Sequence, residues 1–448
     1  MNLMQEKETV AKSLLDKFAK AGANDVIVHI NEDQSAQIKF ANSKIATTQS
    51  WTTAKAEVFV AVNKRLVTTT IKDFSEQAIS DSVSRIMKFA NSIPPTDDYG
   101  GIAEGPFNYK ELENTFDSKI IDLNEKAVDM TEAALNAAEK NGSKRSAGVL
   151  EWSSNNSYLL TTNNIEAEDK ATKLYFSLRA FVDKYASGHR VCNSRILSGF
   201  NPEEIAAGAA ETARQAVNPV QSKEGVYDVL FEPLPFSNIL TQIGESFSIF
   251  NVESHLSCLA GKIGQQVADK SVTITDDGTL PNGYGSGKFD AEGVPTQKNV
   301  LIEDGVLKTF LHNTSSAKRH NVKTTANAGL ISPSAFNVVF NNGKLNKEEI
   351  ISTMKKGLIV TNVWYTRFQN YADGDFSTIP RDGMFMVENG KITGAVKELR
   401  ISDNLLNILK NVAAIGSKPD QVFGWEVEMP VTTPPVLVKD VHFTKSVA

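Results

Sequence analysis

The sequence predicts an α+β fold: N-terminal units of helix and antiparallel sheet, followed by a mostly antiparallel, β-rich C-terminal domain with a few helices. Three observations predict it. Amphipathic stretches bracket groups of alternating strands twice in the first half. The strands cluster instead of alternating one by one with helices, as a doubly wound parallel sheet would require. From Val226 onward, short strands are punctuated by Asp304-Gly305, Asn342-Gly343, Asp382-Gly383 and Asn389-Gly390, pairs that tolerate the positive φ of tight hairpin turns.

In the first unit, residues 5–22 carry Val10, Leu14, Leu15 and Phe18 at helical spacing, and Ala21-Gly22 supplies a stop. Strand-like alternation follows over 25–30, 36–40, 55–62 and 65–71, the last two joined through Asn63-Lys64. A second helix over 75–90 repeats Ile79, Val83, Ile86 and Phe89, and residues 94–106 read as a loop. The pattern then recurs with a helix from Asp122 to Glu139, strands across 148–195 and a helix from Asn201 to about Val217. The two units share no obvious identity, so an architectural repeat and coincidence both stand. In the last third, helices are expected near 235–247, 255–270 and 347–356. The resulting division is 1–100, 101–222 and 223–448.

Composition narrows the function. A formal charge of -6 and a pI near 5.7 leave no global positive field for a phosphate backbone, so direct nucleic-acid binding is not expected. The opening residues turn polar and acidic at once, without the apolar core of a secretory signal, and no apolar run approaches the ~18 residues that cross a bilayer. Two cysteines in 448 residues fit a reducing compartment, and a cytoplasmic location is expected.

Several patterns could carry chemistry. His189/Cys192 and His255/Cys258 are two His-x-x-Cys pairs, but residues three apart on a strand point to opposite faces, so the first pair does not read as metal ligands. The second could share a face only if helical. His312 and His320, eight apart, have no metal-site meaning by spacing alone. Gly283-Tyr-Gly-Ser-Gly287 lacks the lysine of a P-loop and launches no helix; a mobile loop over a cleft is the better reading. Asp276-Asp277 and Asp290/Glu292 read as turn-capping carboxylates before they read as acid–base pairs. No Gly-x-Ser-x-Gly elbow is present. The stretch 363–377 is unusually aromatic, with Arg367, Asp373 and Asp375 among its rings. Such a mixture suits a surface that grips extended peptide, a subunit interface or plain sheet core.

The blocks 272–279 (VTITDDGT), 289–308 (FDAEGVPTQKNVLIEDGVLK), 386–394 (MVENGKITG), 399–406 (LRISDNLL) and 433–441 (TPPVLVKDV) resemble the TldD/PmbA family of peptidase-like proteins. The resemblance implies a helix at 233–247 that in active members bears a His-Glu-x-x-x-His zinc motif. Here Thr241-Gln242 stand where that family has His-Glu, and Ser246 stands for the second His. Active relatives also use a cysteine near the C-terminus, whereas none follows Cys258.

The resemblance therefore implies the PmbA/TldE branch. On that reading the chain is a non-catalytic subunit with no cofactor of its own, and zinc is expected on a TldD-like catalytic partner. Together they would cleave small or unfolded peptides. The alternative is a homodimeric peptide-binding regulator of toxin or DNA gyrase systems without protease activity. Peptide contact is assigned to Asp290, Glu292, Tyr365, Arg367 and Asp375, and no metal ligand is assigned.

Overall fold

The structure, a computed structural model, describes residues 3–445. Met1-Asn2 of the polar start and residues 446–448 of the third unit lie outside the described residues.

The first unit runs α1 (Leu3–Lys20), β1 (Asp25–Ala41), β2 (Lys44–Val62), β3 (Arg65–Ile71) and α2 (Glu76–Ala90). The second repeats that plan with α3 (Asn124–Lys140), β4 (Arg145–Thr161), β5 (Glu166–Phe181), β6 (Ser187–Ser194) and α4 (Pro202–Gln215). The strands of both units join into one antiparallel sheet of order β3-β2-β1-β4-β5-β6, symmetric about the seam where β1 and β4 pair from Ile27↔Thr161 to Phe40↔Gly148.

Strand periodicity decides what each face does. Val26, Val28, Ile30, Ile38 and Phe40 project from one face and are buried, the first three with α1 and α2, the last two with α3 and α4. The opposite face carries Asn31, Asp33, Ser35 and Gln37 of β1 beside Ser153, Asn155 and Ser157 of β4. A register slip of one residue would exchange the two faces, so burial of the apolar set holds the pairing in place.

The C-terminal domain holds two further sheets. A six-stranded one runs from Val306–Leu307 through Lys298–Glu303, Ile274–Asp277, Val338–Phe340 and Val427–Thr433 to Asp420–Gly424. A ten-stranded one runs from the edge strand Val363–Asn370 to Val220–Gln221. Pairing is mostly antiparallel, with parallel contacts between Val338–Phe340 and Val427–Thr433 and between Gly225–Phe231 and Lys356–Val360. Helix α5 (Pro233–Ser246) shares one core with both sheets: Phe236, Ile239, Leu240 and Ile243 cluster with Val338, Phe340 and Val431 of one and Val229, Phe231 and Val441 of the other. A Cβ on Gly244 would lie 2.4 Å from Met429 Sδ, so a larger residue there requires that methionine to shift.

Four expectations are corrected. β1 is one strand of 17 residues, not two, because its polar middle is paired on both sides by β2 and β4. β2 begins at Lys44 instead of Lys55; its added part is exposed and lacks the apolar alternation that marks a half-buried strand. Phe89 lies outside the apolar face of α2 and is 55% exposed. No helix spans 255–270: a short one ends at Glu253, and His255, Gly261 and Gly264 take φ of 58°, 71° and 78°, which break a helical path.

One buried charge ties the central sheet to the C-terminal domain. Arg195, 1% exposed, follows β6 directly. Its Nε donates to Thr172 O at 2.7 Å, its Nη1 to Gly283 O at 3.0 Å and Ser286 O at 2.8 Å, and its Nη2 to Thr115 O at 2.9 Å. Burial lowers its pKa to about 10, so it stays cationic at neutral pH. The fork geometry of a guanidinium lets one side chain satisfy carbonyls from three segments. Arg195→Met removes the donor that these three segments share, leaving Thr115 O and Gly283 O only their local Thr172 and Ser286 amides, and denaturant unfolding is expected to show a loss of about 3–5 kcal/mol; a loss below about 1 kcal/mol would contradict this role.

Candidate functional site

Helix α5 holds the three positions where the resemblance implies zinc ligands in active members. Thr241 is fully buried and its Oγ1 has no hydrogen-bond partner among the described residues. Ser246 is also buried; its Oγ donates to Gln242 O at 3.1 Å and receives the Cys258 thiol at 3.8 Å. Gln242 is half-buried. Two hydroxyls and an amide are neutral oxygen donors, one of them turned into apolar packing and another spent on its own helix backbone. They do not fit a catalytic zinc, which takes imidazole, thiolate or carboxylate ligands and keeps one open position. Among the described residues no three His, Cys, Asp or Glu side chains form a group able to hold a metal.

The histidines and cysteines are engaged elsewhere. His189 is buried between Ser177 Oγ (2.9 Å) and Asn362 Nδ2 (3.2 Å), edge-on to Trp425 at 4.9 Å. Burial pushes its pKa down to about 4, keeping it neutral. Cys192, three residues on along β6, packs with the helices on the other face of the sheet, as strand geometry requires. Cys258 sits in the C-terminal core and does not share a helical face with His255. His312 and His320 approach to 5.4 Å edge to face, and His320 Nε2 contacts Glu253 Oε1 at 2.7 Å; Glu253 is also taken by Arg319.

The five residues assigned to peptide contact fall in two places. Tyr365, Arg367 and Asp375 lie at the exposed edge of the ten-stranded sheet, on Val363–Asn370 and its neighbour Asp375–Pro380. There Arg367 stacks over Tyr365 at 4.2 Å and Arg381 over Trp364 at 4.5 Å. This edge is joined to α5: Thr366 Oγ1 donates to Asn238 Oδ1 at 2.6 Å, and Asn238 Nδ2 donates to Glu426 O at 2.7 Å. An unpaired strand edge with aromatic and cationic side chains, beside the helix of interest, is the part of the prediction that the structure brings together. Asn238 and Glu426 join it, although neither has a sequence signal, because only the packing of distant segments places them there.

Asp290 and Glu292 lie apart from that edge, packed near Tyr109 and Ala103 of the linker. Both are buried. Asp290 Oδ1 accepts from Glu292 N (2.9 Å) and Val294 N (3.0 Å), and its Oδ2 accepts from Ala328 N (2.9 Å); Glu292 Oε2 accepts from Thr314 N (3.2 Å). Their carboxylates are spent on backbone N–H groups and offer no free edge to a peptide in this structure. Asp276 does the same for Phe336 N and Asn337 N. The glycine-rich loop is likewise packed, not mobile: Tyr284 is buried, Gly285 N donates to Asn337 Oδ1, and a Cβ on Gly285 would meet Phe336 O at 2.0 Å. Arg195 holds it from below.

Two measurements follow from these environments. Thr241→Val removes a buried hydroxyl that has no partner while keeping the shape, so thermal unfolding is expected to show a gain of about 1 kcal/mol; a clear loss would mean that the hydroxyl has a role. Glu292 is pushed up from its ordinary 4.5 to about 7, first by burial. Between those pH values the folded protein holds a proton that the unfolded chain releases. The group's unfavourable contribution is therefore present above pH 7 and fades as pH falls towards 4.5. Melting temperature is expected to rise from pH 8 to pH 6, and Glu292→Gln to flatten that rise; an unchanged slope would contradict it.

Residues 224–445 match the PmbA/TldA metallopeptidase C-terminal domain, and residues 110–217 match the PmbA/TldA metallopeptidase central domain. An uncharacterized protein of Methanocaldococcus jannaschii is 29% identical over 68% of this chain and 73% of its own length. A metalloprotease of the same organism is 30% identical over 46% of this chain and 48% of its own, and a TldD homolog of Haemophilus influenzae is 30% identical over 38% and 36%. The match thus spans about half or less of those metalloproteases. Among solved structures, a candidate modulator of DNA gyrase from Thermotoga maritima superposes with a TM-score of 0.85 at 25% identity, covering 98% of this chain and all of that one. TldE from Thermococcus kodakarensis superposes with the same score at 20% identity over 97% and 100%. The domains matched and the fold shared along the chain agree, and this protein belongs to the TldD/PmbA family.

Proposed function

We propose that this chain is the PmbA/TldE-type, non-catalytic subunit of a TldD-like zinc peptidase acting in the cytoplasm on small or unfolded peptides. The observation that carries the reading is the chemistry of α5. Thr241, Gln242 and Ser246 present neutral oxygens, two of them buried, where an active member needs imidazoles and a carboxylate. The chain's part is then to hold extended peptide, with the zinc and its activated water supplied by the partner. The edge strand Val363–Asn370 supports this role: Glu426 and Trp425 take the Tyr365 N–H and the Val363 carbonyl, so the part beyond Arg367 is left to pair with a peptide main chain, while Trp364, Tyr365 and Arg367 contact side chains. Pairing through main-chain groups reads no sequence, which suits unfolded substrates.

A second reading is a homodimeric peptide-binding regulator without any protease partner. It is favoured by the likeness to proteins described as candidate modulators of DNA gyrase.

Zinc content by mass spectrometry and a peptidase assay on the purified chain test the first reading. The expected result is less than stoichiometric zinc and no cleavage alone, with cleavage restored on adding a His-Glu-x-x-x-His paralogue from the same genome. Stoichiometric zinc with robust cleavage by this chain alone would overturn it. Stable self-association with no such paralogue co-purifying from native extract would favour the second reading.

A further inference from the structure

The polar face of the central sheet contains a row of side chains that nothing in the fold uses. Trp51, Ser35, Ser153 and Lys173 are directly paired neighbours across β2, β1, β4 and β5, so they stand side by side on the face away from the helices. They line a cavity of about 120 Å³ with Glu151 and with Tyr284 of the glycine-rich loop. Lys173 has no carboxylate within 4.0 Å among the described residues; its only close partner is the Tyr284 ring, 4.9 Å from Nζ. Asp33 attracts it from beyond contact distance, and Asp33 Oδ1 is already taken by Asn155 Nδ2 at 2.8 Å. The hydroxyls of Ser35 and Ser153 also have no hydrogen-bond partner among the described residues.

Lys173, Ser35 and Ser153 are half-buried, so their polar groups are held by water or by a ligand and not by the protein. Here burial, and then the Arg195 charge, push Lys173 down to about 8. One cationic and two neutral donors, all unspent, facing one cavity make a site for an anion. Its size and its aromatic walls select among anions: the cavity takes a carboxylate with a small side chain, whereas a phosphate would meet Asp33 and Glu151 with more than one negative charge. Burial raises the pKa of the Glu151 carboxyl.

We propose that Ser35, Ser153 and Lys173, roofed by Tyr284, form an anchoring subsite for the α-carboxylate of a bound peptide, with Trp51 against its terminal side chain. The subsite rests on the peptide-binding reading above and deepens it: a chain anchored at its free end is measured from that end. Preference for short peptides follows, because only a chain with an accessible C-terminus reaches the row.

The test is isothermal titration of the full chain with N-acetyl-trialanine, with its C-terminal amide, and with an amidated tripeptide carrying a central glutamate. The free acid is expected to bind at least about tenfold more tightly than either amide, the scale of one charge-assisted hydrogen bond. Lys173→Met is expected to abolish that preference, so that free acid and amide bind alike. Ser153→Ala is expected to weaken the acid selectively by about threefold, the low end for a neutral hydrogen bond, and it keeps the test available should the lysine variant fold poorly. Equal binding of acid and amide by the wild type would remove the anchor and leave peptide binding by this chain standing. Equal binding of the glutamate peptide and the free acid would assign the site to side-chain carboxylates and overturn the proposal. Failure of all three peptides to bind would overturn the subsite together with the peptide-binding reading.

Discussion

The guanidinium of Arg195 is the constraint from which the relation between the two halves of the molecule follows. A fully buried cation survives only if every N–H finds an acceptor, and Arg195 finds its acceptors on the 110–117 linker, on β5 and on the glycine-rich loop. Its desolvation is offset by carbonyl oxygens, with Asp169 the nearest favourable charge. The effect is geometric: strand, linker and loop cannot move independently without leaving the charge unsatisfied. Tyr284, on the loop so held, is thereby fixed over Lys173.

Above that anchor the C-terminal domain is organised around α5. A helix placed between two sheets is buried almost all round, and α5 is, its polar residues Ser237, Asn238, Thr241 and Ser246 included. In an active relative such a helix would have to carry charged ligands towards an open cavity. Here Thr241 faces packed side chains and Ser246 closes on its own backbone, so the space is filled in the way a core is filled. The adjoining edge strand remains open, with exposed aromatic and cationic groups. A helix α5 without imidazole or carboxylate ligands and an exposed edge strand are what the proposed supporting subunit needs. The polar face of the central sheet adds a second surface that chemistry has not been used to close.

Much of this was legible in the residues. Helices α1 to α5 follow from apolar spacing, and the duplicated helix–sheet–helix plan follows from its repetition, because local periodicity reports burial on one side. Residues 31–35 and 44–54 were not read as strand: they pair within a sheet whose exposed face is polar, and a polar strand shows no alternation. The supposed helix at 255–270 failed because Leu256 and Ile263 look apolar in sequence but are exposed, and because glycines set the backbone there. For the site, the absence of histidine on α5 was visible at once. The turn-capping reading of Asp290 and Glu292 was legible too, whereas their distance from the edge strand was not, since donors from as far as Ala328 and Thr314 take up the carboxylates. Lys173, Ser153 and Ser35 carried no signal at all: their adjacency exists only once β1, β4 and β5 are in register.

Hydrogen exchange at the amides of Tyr284, Gly285 and Ser286 probes the central constraint most directly. If Arg195 is what couples the halves, these amides are expected to exchange as slowly as those of β5 in the wild type and to become fast in Arg195→Met while the interior of β5 stays protected. Equally slow exchange of the loop in both proteins would contradict the account, because the loop would then be held by something other than the buried charge.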